Sequence, residues 1–360
     1  LNDAWQQHLA SALSAVPAST AEIGPDAALI AGIAAYRRHG FVRSLPEPPT
    51  VWREGASSML DFGGDGGPVM LIVPSLVNRA TILDLCAGAS MARYLCGRGL
   101  RVKLLDWGWP GPEERAMGLD ALISGRLMRA IQAAGPRVVL VGYCMGGLLA
   151  MAAAQLNPKP VAALALLATP WDFHAGDREV RKNTTTILAA LEPVMAASGA
   201  VPVDVLQCLF SLSDPHAVGD KFRSFGRMDQ TSARAQRFVA MEDWLADGVP
   251  LAAPVARDCI GGWYRDNAPA HLAWSIGGQI IDPSHLAMPL LVAVPDHDSV
   301  VPPESAMALA RLLPAATLLR PASGHIGMIA GSRAEQDLWA PLADWALRVG
   351  AKQTRSRRRR

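Results

Sequence analysis

The chain has 360 residues, half of them hydrophobic, with 34 basic and 32 acidic side chains. That is ample for a large core, while no apolar run approaches the roughly 18 residues needed to cross a bilayer. Lys352, Arg355 and Arg357 to Arg360 place six positive charges in the last nine residues; subtracting them from the net +2 leaves −4, so the body offers no nucleic-acid footprint.

Residues 1–50 read as an N-terminal helical extension: WQQHLASALSAV, then DAALIAGIAAYRRHGF, each with apolar positions three and four apart, then a Pro-rich connector. VWREG and SMLDFGG form a hairpin. GPVMLIV (67–73) is a continuous apolar run of the kind buried on both faces of a parallel sheet. A helix near 89–98, the strand RVKLLDW, the loop GWPGPEER and a helix over 119–134 follow. Gly135-Pro136 breaks that helix, and RVVLVGYCMGG begins. PVAALALLATPWDF is a further buried strand. Strand signals then vanish from about 175 to 267, where four segments read as helices. Strands return with PLLVAVP (289–295) and ATLLRP (316–321), and LWAPLADWALRV is the last helix. Strands alternating with helices over short connections require a parallel, doubly wound sheet. The helical stretch, about 175–280, is then a cap over one edge, with Trp244, Trp263, Tyr264 and Trp274 as its core. Residues 349–360 are a basic, disordered tail.

The organising stretch is Arg137 to Gly147. An apolar β-branched run meets Gly142-Tyr143-Cys144-Met145-Gly146, and LLAMAAAQL continues as a helix. Strand, Gly-x-nucleophile-x-Gly and helix make the nucleophile elbow of the α/β-hydrolase fold, here with cysteine in place of serine. A free cysteine is more often a core residue, so the elbow needs partners. They occur in the expected order. Asp296 and Asp298 follow the strand PLLVAVP, and His325 follows ATLLRP, both at strand ends. A free thiol near its reference pKa of ~8.5 is mostly protonated at neutral pH. His325 can take its proton, and a carboxylate can orient the imidazole. His297 stands in the acid loop as a further candidate for the site. The five cysteines (Cys86, Cys96, Cys144, Cys208, Cys259) are odd in number and include no CxxC, which points to a reducing, cytoplasmic setting without a zinc site. No signal-peptide pattern is evident. No P-loop, GxGxxG or metal-spaced cluster calls for a cofactor or metal.

With the motifs in place, the sequence resembles the polyhydroxyalkanoate synthases, in their short type that works with a second subunit. The likeness rests on the Gly142–Gly147 elbow, IVPSLVNRATILDL (72–85), LLDWGWP (104–110), LATPWDF (167–173), MEDWLADG (241–248), GGQIID (277–282) and SGHIGM (323–328). It implies a hydroxyacyl-CoA substrate, acyl transfer onto Cys144, His325 as base, and Asp298 (of DSVVP) as the acid ahead of Asp296. Chain growth proceeds by attack of a 3-hydroxyl, with the aspartate assisting that hydroxyl as well as the histidine. CoA thioester is the substrate and no cofactor is implied. The oxyanion donors expected are the backbone N–H groups of Met145 and, in the Ser75–Leu76 loop, Leu76. The partners implied are a second synthase subunit or a second copy of the chain, and a polymer granule surface. Ser299 stands where the family has histidine, and Ser75–Leu76 departs from its pattern before VNR. These differences keep open a cysteine-nucleophile esterase or thioesterase, in which water ends the cycle.

Overall fold

The computed structural model describes residues 26–64, 66–175, 178–211 and 217–357. The first expected helix, residues 5–16, lies outside them. Twelve strands are described: β1 (Thr50–Glu54), β2 (Ser57–Asp61), β3 (Val69–Val73), β4 (Arg101–Asp106), β5 (Val138–Tyr143), β6 (Val161–Leu167), β7 (Ala200–Val201), β8 (Leu251–Ala252), β9 (Ser275–Ile276), β10 (Gln279–Ile280), β11 (Leu290–Ala293) and β12 (Thr317–Leu319). Eight make one sheet in the order β1-β2-β4-β3-β5-β6-β11-β12. The hairpin β1–β2 joins β4 antiparallel, and the rest of the sheet is parallel.

The apolar runs become the central strands because both faces are covered. Every residue of β3, β5 and β6 is buried. Their side chains alternate between two cores. Leu71, Val73 and Leu140 share one with the helix Met145–Leu156; Met70, Ile72, Val139 and Val141 share the other with Trp339 and Trp345. Register brings the carboxyl ends together, with Val73 opposite Gly142 and Leu167 opposite both Tyr143 and Ala293. That edge is where ligands bind in open parallel sheets.

Between β6 and β11 the chain is mostly helical, as expected, with the short antiparallel pairs β7–β8 and β9–β10 added. The expected cap is divided, however. The described residues 217–235 group with residues 26–40 as a compact unit of their own. In that unit the helices Ala27–Arg38 and Ala217–Phe225 pack through the Tyr36 and Phe222 rings at 5.7 Å and an Arg223–Asp26 ion pair. Gly32 allows the approach, because a Cβ there would stand 1.9 Å from the Phe222 carbonyl oxygen. The expected aromatic core is also divided. Trp263 and Trp274 meet edge to face at 5.5 Å, and Tyr264 leans on Phe173 at 4.9 Å, but Trp244 belongs to the opposite core.

Where disorder was expected over 349–360, the chain is helical as far as Arg357. The last helix, Ala340–Arg357, carries Leu342, Ala343, Ala346 and Val349 into the core and simply continues. Residues 358–360 lie outside the described residues. Among the described residues, no helix is long and apolar enough to cross a membrane.

Candidate active site

Cys144 follows β5 directly and caps the helix Met145–Leu156, with φ 57° and ψ −128°. A non-glycine residue in this region is strained and persists only where its surroundings hold it. Here they do: the Cys144 N–H donates to the Leu167 carbonyl at 2.8 Å, and its own carbonyl accepts from Gly147 N–H at 2.9 Å. The flanking glycines make the turn possible. A Cβ on Gly142 would stand 2.4 Å from Gly147 Cα, and one on Gly146 would stand 2.2 Å from the Val73 carbonyl oxygen. The result is a half-buried sulfur at the amino end of a helix, where the dipole favours negative charge.

The two other members of the expected set arrive from the ends of β11 and β12. Asp298 Oδ1 accepts from the N–H groups of Val300 (2.9 Å) and Val301 (2.8 Å), which turns Oδ2 toward His325 Nδ1 at 2.7 Å. A carboxylate is an acceptor, so Nδ1 carries the hydrogen and the other ring nitrogen is not engaged by Asp298, while Cys144 lies near enough for its charge to act on the ring. Both Asp298 and His325 are buried. Burial pulls the imidazole pKa down, but the Cys144 charge, the Asp298 bond and the Cys144 bond outweigh it, raising His325 to about 10. Asp296, two residues away, is not part of this set. Its Oδ1 is paired with Arg320 at the surface at 2.5 Å, while His297 and Ser299 are exposed.

The loop after β3 lies against the elbow, where the Ser75 hydroxyl approaches Met145 Sδ at 3.9 Å. Within it the Val77 N–H donates to Ser75 Oγ at 3.2 Å. Among the described residues no protein acceptor takes the Leu76 N–H. Met145 N–H, at the first helical position, has no acceptor one turn back within the helix.

One contact was not visible in the sequence. The Tyr143 hydroxyl donates to the His325 carbonyl at 3.2 Å, and the two rings lie 5.1 Å apart, so a residue inside the elbow also anchors the histidine loop. Burial, with the Cys144 and Asp298 charges adding to it, pushes the Tyr143 phenol well above its usual pKa and keeps it a donor. Its place between Gly142 and Cys144 was the available signal.

A doubly wound sheet, a strained elbow and a hydrogen-bonded Asp–His pair define an enzyme scaffold, and comparison with known proteins agrees. The alpha/beta hydrolase fold family matches residues 68–332, and the chain belongs to it. A thioesterase domain from the curacin biosynthetic pathway shares the fold, with a TM-score of 0.52, 17% identity and coverage of 85% of this chain and 100% of that one. Within the superfamily, the chain is a member of the polyhydroxyalkanoate synthase family. It is 30% identical over 285 residues to the poly(3-hydroxyalkanoate) polymerase subunit PhaC of Haloferax mediterranei, which covers 77% of this chain and 58% of that relative. The proteins of the same name from Synechocystis sp. and Allochromatium vinosum are 29% and 28% identical, over 77% of this chain and 76% and 79% of theirs.

Proposed function

We propose that this chain polymerises 3-hydroxyacyl-CoA into polyhydroxyalkanoate, carrying the acyl group on Cys144 and releasing CoA. The observation that carries the reading is Cys144 in the elbow conformation, beside a His325 that Asp298 holds by its Nδ1. The kinship with polyhydroxyalkanoate polymerases supplies the substrate class.

His325, which keeps its proton to about pH 10, stands beside Cys144 as imidazolium, and in the first half-reaction the sulfur attacks the thioester carbonyl. The Met145 and Leu76 N–H groups stabilise the oxyanion. The carbon–sulfur bond to CoA breaks, and the imidazolium proton goes to the departing CoA sulfur. Acylation removes the charge from Cys144, which is the largest influence raising the His325 pKa. That pKa therefore falls, and having given its proton to CoA the imidazole stays unprotonated and ready to act as the base of the second half. It takes the proton of a 3-hydroxyl, the oxygen attacks the Cys144 thioester, and the sulfur leaves as an ester forms. Asp298 acts through His325, since both its oxygens are engaged and its side chain has no exposed surface.

A cysteine suits this exchange because a thioester is traded for a thioester in loading, and ester formation then runs downhill. The family kinship supports a second synthase subunit or a second copy of the chain, and the polymer granule surface, as partners. Incubation with 3-hydroxybutyryl-CoA tests the reading: CoA release accompanied by insoluble oligoester is expected, and free 3-hydroxybutyrate in its place marks a thioesterase.

A further inference from the structure

Two tryptophans grip the loop after β3 from opposite ends. From the body, the Trp107 indole N–H donates to the Pro74 carbonyl at 3.1 Å. From the segment between β6 and β11, the Trp244 indole N–H donates to the Arg79 carbonyl at 2.8 Å. Both side chains are buried, with 8% and 7% of their surface exposed. The same segment adds a bridge between Gly248 and Asn78, a bond from Val249 N–H to the Val77 carbonyl at 3.3 Å, and an Arg79–Asp247 ion pair at 3.4 Å.

The span between the two anchors contains Leu76, whose N–H is left without a protein acceptor while its neighbour Val77 spends its own on Ser75. An isolated loop of five or six residues would let that N–H wander, and an oxyanion donor works only when held in place beforehand. A buried carbonyl at Pro74 and a part-buried one at Arg79, each facing a buried indole donor, restrict that freedom, because turning either away leaves an indole N–H unpaired.

We propose that Trp107 and Trp244 are positioning residues that aim the Leu76 N–H at the carbonyl oxygen of the acyl group, so that the oxyanion site is complete only with the 244–249 segment docked. Neither indole touches the reacting atoms; each acts through the loop. The inference rests on the reading of Cys144 as the acyl carrier.

The test uses the full chain and two reagents for the same sulfur. Iodoacetamide alkylates Cys144 without building charge on a carbonyl oxygen, whereas a thioester needs the oxyanion donors. Trp244→Phe keeps the ring and removes the N–H. It should slow acylation of Cys144, by 3-hydroxybutyryl-CoA and by the small activated thioester S-phenyl thioacetate, by about tenfold or more. Alkylation should stay within about twofold of wild type, and Trp107→Phe should behave alike. Should Trp107→Phe fail to fold, Trp244→Phe carries the test. Acylation and alkylation both retained, or both falling together, overturns the proposal. If the wild-type chain ignores the CoA thioester yet takes S-phenyl thioacetate, the polymerase reading fails while the comparison of variants still decides the role of the indoles.

Discussion

Arg126 and His325 are both buried side chains held by carboxylates, and they differ in what is left over once their hydrogen bonds are counted. Arg126 has no exposed surface, and all three of its nitrogens are engaged by Glu54, Glu113, Glu114, Ser57 and the Glu54 carbonyl. It ties the hairpin β1–β2 to the segments after β4 and has nothing to offer a ligand. His325 spends one nitrogen on Asp298 and has the other to offer, beside the half-buried Cys144. A closed cluster of charge fixes a fold; one that ends on a reactive atom at a strand edge is equipped for chemistry. Burial alone does not separate the two.

The comparison is broken most sharply at Cys144. Cys144→Ala should abolish acylation by at least about a thousandfold while leaving thermal melting unchanged, because alanine fits the same turn. Retention of more than a few per cent of CoA release would remove Cys144 from its role. Next come the two neighbouring aspartates. Asp298→Asn should cost up to about ten-thousandfold in turnover, as loss of the orienting carboxylate does elsewhere. Asp296→Asn, which breaks only a surface pair with Arg320, should stay near wild type. Equal effects would sink the assignment.

The closed cluster should respond in stability instead. Arg126→Met leaves Glu54 and Glu114 without their buried cation, which costs about 3–5 kcal/mol in urea unfolding. Turnover per folded molecule should be unchanged; a stable but inactive variant would mean that the cluster reaches into the chemistry.

The smallest effects are in pH. Burial works against the Glu114 carboxylate, but the Ala56 N–H and Arg126 outweigh it and hold its pKa below the ordinary 4.5. A depressed folded pKa contributes stability above the unfolded value that is lost as pH falls through the folded one. Glu114→Gln should therefore flatten the acid side of the stability profile below about pH 4.5, and an unchanged acid limb would contradict it. For His325 the sign is opposite. The imidazole should hold its proton to about pH 10 by NMR titration, and Cys144→Ala should lower that midpoint, since the sulfur's charge is the main influence raising it. A midpoint unmoved by the substitution would separate the two residues.

How far these two regions were legible in sequence differs for physical reasons. The central strands announce themselves because β3, β5 and β6 are apolar on both faces, and the elbow because few turns tolerate Gly-x-Cys-x-Gly. Chain order then brings His325 to the correct edge. The choice between Asp296 and Asp298 needed the family pattern, since both stand on one short loop; in space the Val300 and Val301 N–H groups distinguish them. The Arg126 cluster was not legible. Its partners are as much as 72 residues away, and charged side chains taken singly read as surface. The separate grouping of 217–235 was equally hidden, because an amphipathic helix states that it packs without stating on what. Disorder was expected from 349, whereas Val349 packs in the core and the last helix runs on to Arg357.

The central claim is that Cys144 accepts an acyl group from CoA and surrenders it to a hydroxyl. Mass spectrometry of the intact chain after incubation with butyryl-CoA, which lacks the 3-hydroxyl, tests it most directly. The account predicts a single butyryl adduct on Cys144 that persists, with one equivalent of CoA released, whereas 3-hydroxybutyryl-CoA turns over repeatedly. Rapid multiple turnover of butyryl-CoA to free butyrate, with no adduct accumulating, would contradict it and make water the acceptor.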